Sequence, residues 1–273
     1  MSTEPANQPL PAEAPARNVD AVPRRTILGI NFLVGSLEDG LGAAHAGGLI
    51  VVPSGPNLAD MADDPEYTEA VVNADWAITD SGYMVLLWWL KRREKLERLS
   101  GLRFLRGILE DPVFRERVQT QGMLWVMPSE AEAQSNRAYL ESIGLPLTEE
   151  AAYVAPYYPM QGLKDSELLE RARRLKPAYI FLCVAGGKQE KLGYYLRRNL
   201  EHTPAIMGIG AAIAFLTGAQ AGIPPWADRL YLGWLWRCFQ NPKKFIARYW
   251  RAKKLATLLL KHGERCPIEV PGR

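Results

Sequence analysis

Short runs of β-branched and aromatic residues alternate with helix-type segments along residues 26–210, and this alternation constrains the fold more than any other feature of the sequence. Runs of this length and composition are typical of buried strands. Strands that alternate with helices indicate a mainly parallel sheet with helices on both faces. We therefore expect an α/β, Rossmann-like core over residues 26–222. The predicted strands are TILGINFLV (26–34), GLIVVPSG (48–55), WAITD (76–80), GMLWVMPS (122–129), PAYIFLCVAGG (177–187) and PAIMGIG (204–210).

The segments between these strands carry signals for helix starts. Asp64 precedes Pro65, so an acid stands at the capping position and a proline at the first helical position. Another helix is predicted from Tyr83 to Leu99, directly after the strand that ends at Asp80. Further helices are predicted over residues 130–144, 166–176 and 188–200.

The overall composition excludes several classes of protein. The net charge of the 273-residue chain is only +3, so the chain as a whole lacks the strongly basic character of a nucleic-acid-binding protein. Its three cysteines show no CxxC spacing, which favours reduced thiols over a disulfide framework or a zinc site. The three histidines are scattered, and no metal site is predicted. No run approaches the roughly 18–20 consecutive apolar residues of a membrane-spanning helix. Residues 1–25, rich in Pro and Ala, are typical of a disordered leader and not of a signal peptide.

The C-terminal segment, residues 223–273, differs from the rest of the chain in charge and aromatic content. From Trp226 to Arg265 it holds ten basic residues, two acids and four of the eight tryptophans. A basic amphipathic helix can pack against the sheet with its charged face in solvent, or lie in the interface of an anionic membrane. The aromatic residues lie opposite most of the lysines, so base stacking would not combine with phosphate contacts and nucleic-acid binding is not predicted. The predicted apolar face consists of Phe245, Ile246, Tyr249, Trp250, Ala256, Leu259 and Leu260.

Polar and small residues follow several predicted strands, at the edge of the sheet where α/β proteins bind ligands. An acid such as Asp80 at this place is also an ordinary helix-capping residue, so its position alone leaves both roles open. GIGAAI lacks the third glycine of a dinucleotide fingerprint, and AGGKQE lacks the spacing and the hydroxyl residue of a P-loop. The strand-end residues that can meet at one site are Ser54, Asn57, Asp80, Gln189, Glu190, Gly208 and Gly210.

An ordered series of motifs resembles the WecG/TagA/CpsF family of bacterial glycosyltransferases, glycosyltransferase family 26. The resemblance extends from about Thr26 to about Leu260, and its motifs are specific only in combination. They are DSG at 80–82, RLSG at 98–101, AGGKQE at 185–190, GIGAAIAFLTG at 208–218 and WLWR at 234–237.

The resemblance implies an inverting, metal-independent enzyme that needs no cofactor. Such an enzyme moves a sugar, often N-acetylmannosamine in this family, from a UDP donor to a polyprenyl-diphosphate-linked saccharide. A carboxylate suits removal of the acceptor's proton, and arginines suit the charge on the departing diphosphate. The resemblance implies Asp80 as the catalytic residue and Arg98 and Gln189 as donor-binding residues. The strand-end residues and their neighbours complete the predicted donor site: Ser54, Asn57, Lys188, Glu190, Gly208 and Gly210. The basic C-terminal segment adds the candidates for binding the diphosphate or acceptor, which are Arg237, Arg248 and Arg251.

The resemblance also implies a cellular setting. The family's C-terminal appendage contacts the membrane and helps to close the active site, so we expect residues 223–273 to dock on an anionic membrane surface. The enzyme would be cytoplasmic and peripheral to the inner face of the plasma membrane, serving exopolysaccharide, capsule or cell-wall polymer synthesis. The sequence leaves open whether the chain forms a homo-oligomer.

Several positions depart from the family's motifs. A TPN sequence is replaced around Ser54, two expected acids are Arg103 and Ala214, and a proline, an arginine and a glutamate are Gly187, Gly222 and Gly233. Altered polar residues predict an altered donor specificity. They also leave open an alternative function, that of a non-catalytic member that binds a polysaccharide precursor or a partner enzyme.

Overall fold

The structure is a computed structural model that describes residues 22–220, 224, 233–240, 250 and 252–270. Within residues 233–240 only the backbone is described at Gly233, Trp234, Arg237 and Gln240. Residues 1–21 of the predicted leader lie outside the described residues. Arg24 and Arg25, which were assigned to the leader, begin the first strand.

The described chain follows the predicted alternation of strands and helices. The strands are β1 (Arg24–Ile27), β2 (Ile30–Leu33), β3 (Gly48–Val51), β4 (Trp76–Ile78), β5 (Met123–Met127), β6 (Ala152–Val154), β7 (Tyr179–Leu182) and β8 (Ala205–Gly208). The helices are α1 (Leu37–Ala46), α2 (Gly55–Ala59), α3 (Pro65–Val72), α4 (Gly82–Arg92), α5 (Gly101–Glu110), α6 (Pro112–Gln121), α7 (Glu130–Ser142), α8 (Ser166–Leu175), α9 (Lys188–Asn199) and α10 (Ala212–Leu216). A helix at Gly233–Gln240 and the C-terminal helix, Lys253–His262, follow.

The described strands form one eight-stranded sheet in the order β1-β2-β4-β3-β8-β7-β5-β6. Neighbouring strands are parallel except for β1 and β2, which are antiparallel. Helices cover both faces, and successive residues of a strand enter opposite cores. In β3, Leu49 and Val51 pack with α3, α4, α8 and α9, whereas Ile50 packs with α1, α5, α6 and α7. The predicted α/β, Rossmann-like fold is confirmed.

The prediction of a single strand over residues 26–34 is wrong, because this stretch forms the β1–β2 hairpin. Leu28 and Gly29 both have positive φ, 52° and 81°, and they reverse the chain between the two strands. The turn also lies against the C-terminal part of the chain, since a Cβ atom on Gly29 would be 2.9 Å from Cys266 Cβ.

The predicted helix from Tyr83 to Leu99 is wrong at its C-terminal end, because α4 ends at Arg92. Arg93 adopts a left-handed conformation, and its N–H donates to the Trp89 carbonyl. Residues 93–100, the connecting segment, run without helix until α5 begins. Leu96 and Leu99 of this segment are buried, so its apolar residues join the core without forming a helical face.

The C-terminal helix packs against α2 and α4 with Leu255 and Leu259 buried. At its end, Lys91 of α4 donates hydrogen bonds to the Leu259 carbonyl and, at 2.9 Å, to the Leu260 carbonyl. This is the packed arrangement that the sequence left open for part of the C-terminal segment.

The predicted apolar face of the C-terminal segment is only partly correct, because Leu259 is buried and Ala256 is half-buried but two other members are exposed. Leu260 and Trp250 are 70% and 66% exposed, and the buried side runs through Ala252, Leu255 and Leu259. The spacing of these three residues places them on one side of a helix that meets α4. Phe245, Ile246 and Tyr249 lie outside the described residues. Nowhere in the described part is there a helix with the length and apolar character needed to cross a membrane.

Candidate active site

A crevice is expected at the carboxyl ends of β3 and β8, because the chain leaves these neighbouring strands toward opposite faces of the sheet. After β3 it enters α2, whose Leu58 packs into the same core as Leu49 and Val51. After β8 it enters α10, whose Ile213 packs into the opposite core. The predicted strand-end residues follow β3, β4, β7 and β8, which end at this edge of the sheet.

The loop after β3 touches the loop after β7. Ser54 precedes α2, and its hydroxyl donates to the Asn57 side-chain oxygen. A Cβ atom on Gly186 would lie 2.9 Å from Asn57 Oδ1, and one on Gly187 would lie 3.2 Å from Asn57 Nδ2. Glycines therefore let the two loops approach closely, and Gly187, with φ of 88°, also needs a conformation that other residues rarely adopt.

Gln189 connects the start of α9 with the end of β8. Its side chain is buried against Gly208 and Gly210, where added Cβ atoms would lie 3.3 Å from Cδ and 3.4 Å from Oε1. Its Nε2 donates to Glu190 Oε1 at 3.2 Å, whereas Oε1 accepts no hydrogen bond from any described residue. An unpaired acceptor in a buried position is costly, which makes it a candidate contact for a ligand.

Glu190 is hydrogen-bonded both to the Gln189 side chain and to the turn at Gly187. Its Oε2 accepts a hydrogen bond of 2.7 Å from the Gly187 N–H, so the carboxylate fixes both the glycine turn and the Gln189 amide. Burial raises the pKa of Glu190, and hydrogen bonds from Gln189 and the backbone oppose that rise. Burial, together with the nearby Glu190 charge, raises the pKa of Tyr67, whose hydroxyl has no partner among the described residues.

Lys188 points to the loop after β6. Its ammonium donates to the Tyr158 carbonyl at 2.5 Å and lies 4.2 Å from the centre of the Tyr157 ring. The sequence did not indicate Lys191, which is buried and pairs with Asp64 at 2.7 Å. These two lysines stabilise the loop and α3 around the start of α9.

Asp80 follows β4 and is anchored through one of its carboxylate oxygens. Oδ1 accepts a hydrogen bond of 2.8 Å from the Gly101 N–H, at the first residue of α5, and lies 3.8 Å from Arg98 Nη2. Oδ2 accepts no hydrogen bond from any described residue, and the side chain is 32% exposed. The helix that follows Asp80, α4, is capped by Ser81, whose hydroxyl accepts from the Met84 N–H at 3.2 Å. Asp80 is therefore free of that capping role.

Arg98 lies beside Asp80 with its side chain 13% exposed. Its Nε donates to the Asp80 carbonyl at 2.7 Å, so the guanidinium contacts both the backbone and the carboxylate of this residue. The motifs implied separate roles for these two residues, the base for Asp80 and donor binding for Arg98, and the structure brings them together. Gly101, which also holds Asp80, was not predicted as a site residue.

Close packing joins the two halves of the site. A Cβ atom on Gly101 would lie 3.0 Å from Val52 Cγ1, at the end of β3, and one on Gly55 would lie 3.0 Å from Ser81 Oγ. The segments that hold Asp80 and Arg98 therefore pack directly against the loop after β3, which contains Ser54 and Asn57.

The structure does not describe every residue that the sequence analysis singled out. The Arg237 side chain, Arg248 and Arg251 lie outside the described residues, as does Gly222. Arg103 and Ala214 stand where the family motifs have acids. Arg103 is exposed on α5 and Ala214 is half-buried in α10. Among the residues that the structure describes, no three His, Cys, Asp or Glu side chains are grouped so that they could hold a metal ion.

Comparison with known proteins adds two findings. The family model for the WecG/TagA/CpsF family of glycosyl transferases matches residues 25–265. An N-acetylglucosaminyldiphosphoundecaprenol N-acetyl-beta-D-mannosaminyltransferase of Staphylococcus aureus (strain MW2) is 20% identical over 226 residues, which cover 80% of this chain and 85% of that protein.

Proposed function

The chain belongs to the WecG/TagA/CpsF family of glycosyltransferases, and we propose that it transfers a sugar from a UDP donor to a polyprenyl-diphosphate-linked saccharide, with inversion and without a metal ion. The observation that carries this proposal is the anchored carboxylate of Asp80, with one oxygen held and the other accepting no hydrogen bond from any described residue.

Asp80 acts as the general base of a direct displacement. Oδ2 takes the proton of the acceptor hydroxyl as its oxygen attacks the anomeric carbon. The bond from that carbon to the diphosphate oxygen breaks, and UDP leaves with the electron pair. Because Gly101 and Arg98 hold Oδ1, the carboxylate needs little rearrangement to reach the acceptor.

Positive charge and backbone N–H groups offset the charge on the departing diphosphate. Arg98 lies beside the base, and the exposed Gly186 precedes the first turn of α9, where helix N-termini favour phosphate. Ser54, Asn57, Gln189, Glu190, Gly208 and Gly210 line or support the donor side of this crevice. Arg237, Arg248 and Arg251 are proposed to reach the diphosphate of the donor or acceptor when the C-terminal segment closes over the site.

The acceptor is proposed by analogy with the staphylococcal relative, whose name describes transfer of N-acetylmannosamine to a lipid-diphosphate-linked N-acetylglucosamine. We infer a similar acceptor here and a donor of the N-acetylmannosamine class. Products of this kind feed the synthesis of cell-wall polymers, exopolysaccharides or capsules.

A lipid-borne acceptor requires access to the membrane surface, and we propose that the chain docks on the inner face of the plasma membrane. Large apolar side chains are exposed on α4, on the helix at Gly233–Gln240 and on or next to the C-terminal helix: Trp89, Leu90, Phe239, Trp250 and Leu260. Lys253 and Lys261 of the C-terminal helix are exposed and would face anionic headgroups.

The test is a transfer assay with the purified full-length chain. A short-chain polyprenyl-diphosphate N-acetylglucosamine and a panel of UDP-sugars are incubated with and without EDTA, and products are separated by chromatography. We expect one UDP-sugar to give product in the presence of EDTA, with the anomeric configuration inverted by NMR. Inhibition by EDTA would contradict the metal-independent step.

The alternative of a non-catalytic protein is favoured by Ala214, a half-buried residue of α10 where the family motif implies an acid. Calorimetric titration with UDP and UDP-sugars separates the two functions. Absence of transfer together with absence of nucleotide binding, in a folded chain, would favour the alternative.

A further inference from the structure

The connecting segment, residues 93–100, is hydrogen-bonded to Thr79 on both sides of Arg98. Thr79 Oγ1 donates to the Glu97 carbonyl at 2.8 Å and accepts from the Leu99 N–H at 3.2 Å. A hydroxyl group can do both at once, since it is a donor and an acceptor. The backbone that carries Arg98 is therefore fixed immediately before and immediately after this residue.

Thr79 directly precedes Asp80, so consecutive residues at the end of β4 contact residues 97–101. Arg98 Nε donates to the Asp80 carbonyl at 2.7 Å, and the Gly101 N–H donates to Asp80 Oδ1 at 2.8 Å. A displacement of Glu97 and Leu99 would thus move both groups that hold Asp80.

The Thr79 hydroxyl is protected from water. Thr79 is 1% exposed, and Leu96 and Leu99 of the connecting segment are 0% and 1% exposed. If the hydroxyl were removed, water could not easily take its place, and the buried Leu99 N–H and the partly buried Glu97 carbonyl would lose their partner. Glu94 also attaches the connecting segment to the rest of the fold, since it accepts from Trp88 Nε1 at 3.1 Å and pairs with Arg25. Its side chain is 35% exposed, so water can replace these contacts more readily than those of Thr79.

We propose that Thr79 is a positioning residue for sugar transfer, which places Arg98 and, through Arg98 and Gly101, orients the Asp80 carboxylate. This inference rests on the proposed function of Asp80. It does not require Thr79 to touch either substrate. A misplacement of about 1 Å at a reacting group can reduce turnover by about 100-fold, so a small shift of the connecting segment has a measurable effect.

Thr79→Val removes the hydroxyl and keeps the shape, whereas Thr79→Ser keeps the hydroxyl. Thr68→Val is the matched control, because Thr68 is 0% exposed and its hydroxyl donates to the Met61 carbonyl at 2.6 Å outside the candidate site. Both valine variants lose a buried hydroxyl, so a general loss of stability affects both.

Two measurements are made on the full-length chain: amide hydrogen exchange of peptides that cover residues 93–101, and steady-state kinetics with the UDP-sugar that supports transfer. We expect Thr79→Val to speed exchange at Leu99 and Gly101 and to lower kcat at least about 10-fold, with the KM for the donor within about threefold. Thr79→Ser should restore both, and Thr68→Val should leave kcat and this exchange unchanged.

Unchanged exchange over residues 93–101 in Thr79→Val would overturn the positioning of the connecting segment. Faster exchange with an unchanged kcat would overturn its link to Asp80, and so would an equal loss of kcat in Thr68→Val. If the wild-type chain transfers no sugar from any UDP-sugar, the proposed function fails. The exchange data alone then decide whether Thr79 fixes the segment.

Discussion

The backbone N–H of Gly101 donates a 2.8 Å hydrogen bond to Asp80 Oδ1, although 21 positions separate the two residues. The contact places a carboxylate at the N-terminus of α5, where backbone dipoles interact favourably with negative charge. The Asp80 side chain is 32% exposed, and its other oxygen, Oδ2, accepts no hydrogen bond from any described residue. An acid that follows a strand is thereby held in a defined position by the beginning of a different helix.

Replacement of Asp80 by Asn should abolish most of the transfer activity without unfolding the chain. The Asn side chain retains an oxygen for the Gly101 N–H, but its amide cannot take a proton from the acceptor. General-base catalysis contributes about 100- to 10,000-fold, so we expect kcat to fall at least about 100-fold with a similar thermal midpoint. Initial rates and thermal unfolding of the purified variant measure both.

Asp63→Asn is the matched control for this substitution. Asp63 is an exposed acid that pairs with Lys254 at 2.8 Å, and an exposed pair of this kind contributes little to stability. The control should keep wild-type turnover. Full activity in Asp80→Asn would rule out Asp80 as the base.

The fold could be predicted from the sequence because strands and helices alternate with clear end signals. The helix start at Asp64 and Pro65 is confirmed, since Asp64 caps α3 through the Tyr67 N–H. The hairpin at Leu28 was missed because a leucine with positive φ leaves no compositional signal. The end of α4 was missed because "KLERLS" has helix-type composition, and tertiary contacts of the connecting segment override it.

The site could be predicted only where a residue follows a strand or belongs to a recognisable motif. Asp80, Gln189 and Gly208 satisfy that condition. Gly101 belongs to the RLSG motif and Thr79 to a predicted strand, but neither position indicates a role, because these roles come from contacts across about 20 positions of chain. Local patterns indicate which elements form, whereas the approach of α5 to the end of β4 depends on the packing of the whole sheet.

Glu190→Gln should weaken donor binding with little effect on turnover. Glu190 Oε1 accepts from Gln189 Nε2, which directs Gln189 Oε1 toward Gly208 and Gly210. A neutral amide at 190 can donate as well as accept, so Gln189 is no longer held in one orientation. Since a hydrogen bond contributes about 0.5–1.5 kcal/mol, the KM for the donor should rise by up to about 10-fold.

Gln189→Ala provides the companion measurement. If Glu190 acts by orienting Gln189, the double variant should show nearly the same KM as Gln189→Ala alone. Effects of the two substitutions that add fully would contradict this relationship. Thermal unfolding of each variant identifies any general loss of stability.

His45 should make the chain less stable in mild acid. Burial lowers the pKa of His45 below its usual 6.5, opposed by Asp111 and assisted by Arg117. Its Nδ1 lies 2.9 Å from the Tyr179 hydroxyl, and its carbonyl accepts from Arg117 at 2.7 Å. The unfolded chain therefore protonates this imidazole at a higher pH than the folded chain does. The free energy of unfolding falls as the pH is lowered from about 6.5 through the folded-state pKa.

Urea unfolding at pH 7.5 and at pH 5.5 measures the effect of this histidine. The loss of unfolding free energy between the two values should be smaller in His45→Gln than in the wild-type chain, by at most about 1.4 kcal/mol for each pH unit. His202 and His262 also have lowered pKa values, so part of the dependence remains in the variant. An equal dependence in both proteins would contradict the role of His45.

Exposed apolar residues of α4 and the C-terminal helix should control binding to anionic vesicles. Trp89, Leu90 and Leu260 are 42%, 51% and 70% exposed, and the Lys91 ammonium connects the two helices through the Leu260 carbonyl. Burial of a large apolar side chain contributes about 1.5–3 kcal/mol. Changing all three to Ser should therefore weaken sedimentation with phosphatidylglycerol vesicles at least about 10-fold.

Tyr157→Ser is the control for this triple variant, because Tyr157 is 91% exposed but lies on the loop after the edge strand β6. Loss of any exposed aromatic residue would affect both variants if adsorption were nonspecific. A docking surface formed by α4 and the C-terminal helix requires the triple variant alone to lose binding, while its turnover with a water-soluble acceptor stays at the wild-type level. Wild-type sedimentation of the triple variant would exclude this surface, and the lipid-borne acceptor would then have to reach Asp80 by another approach.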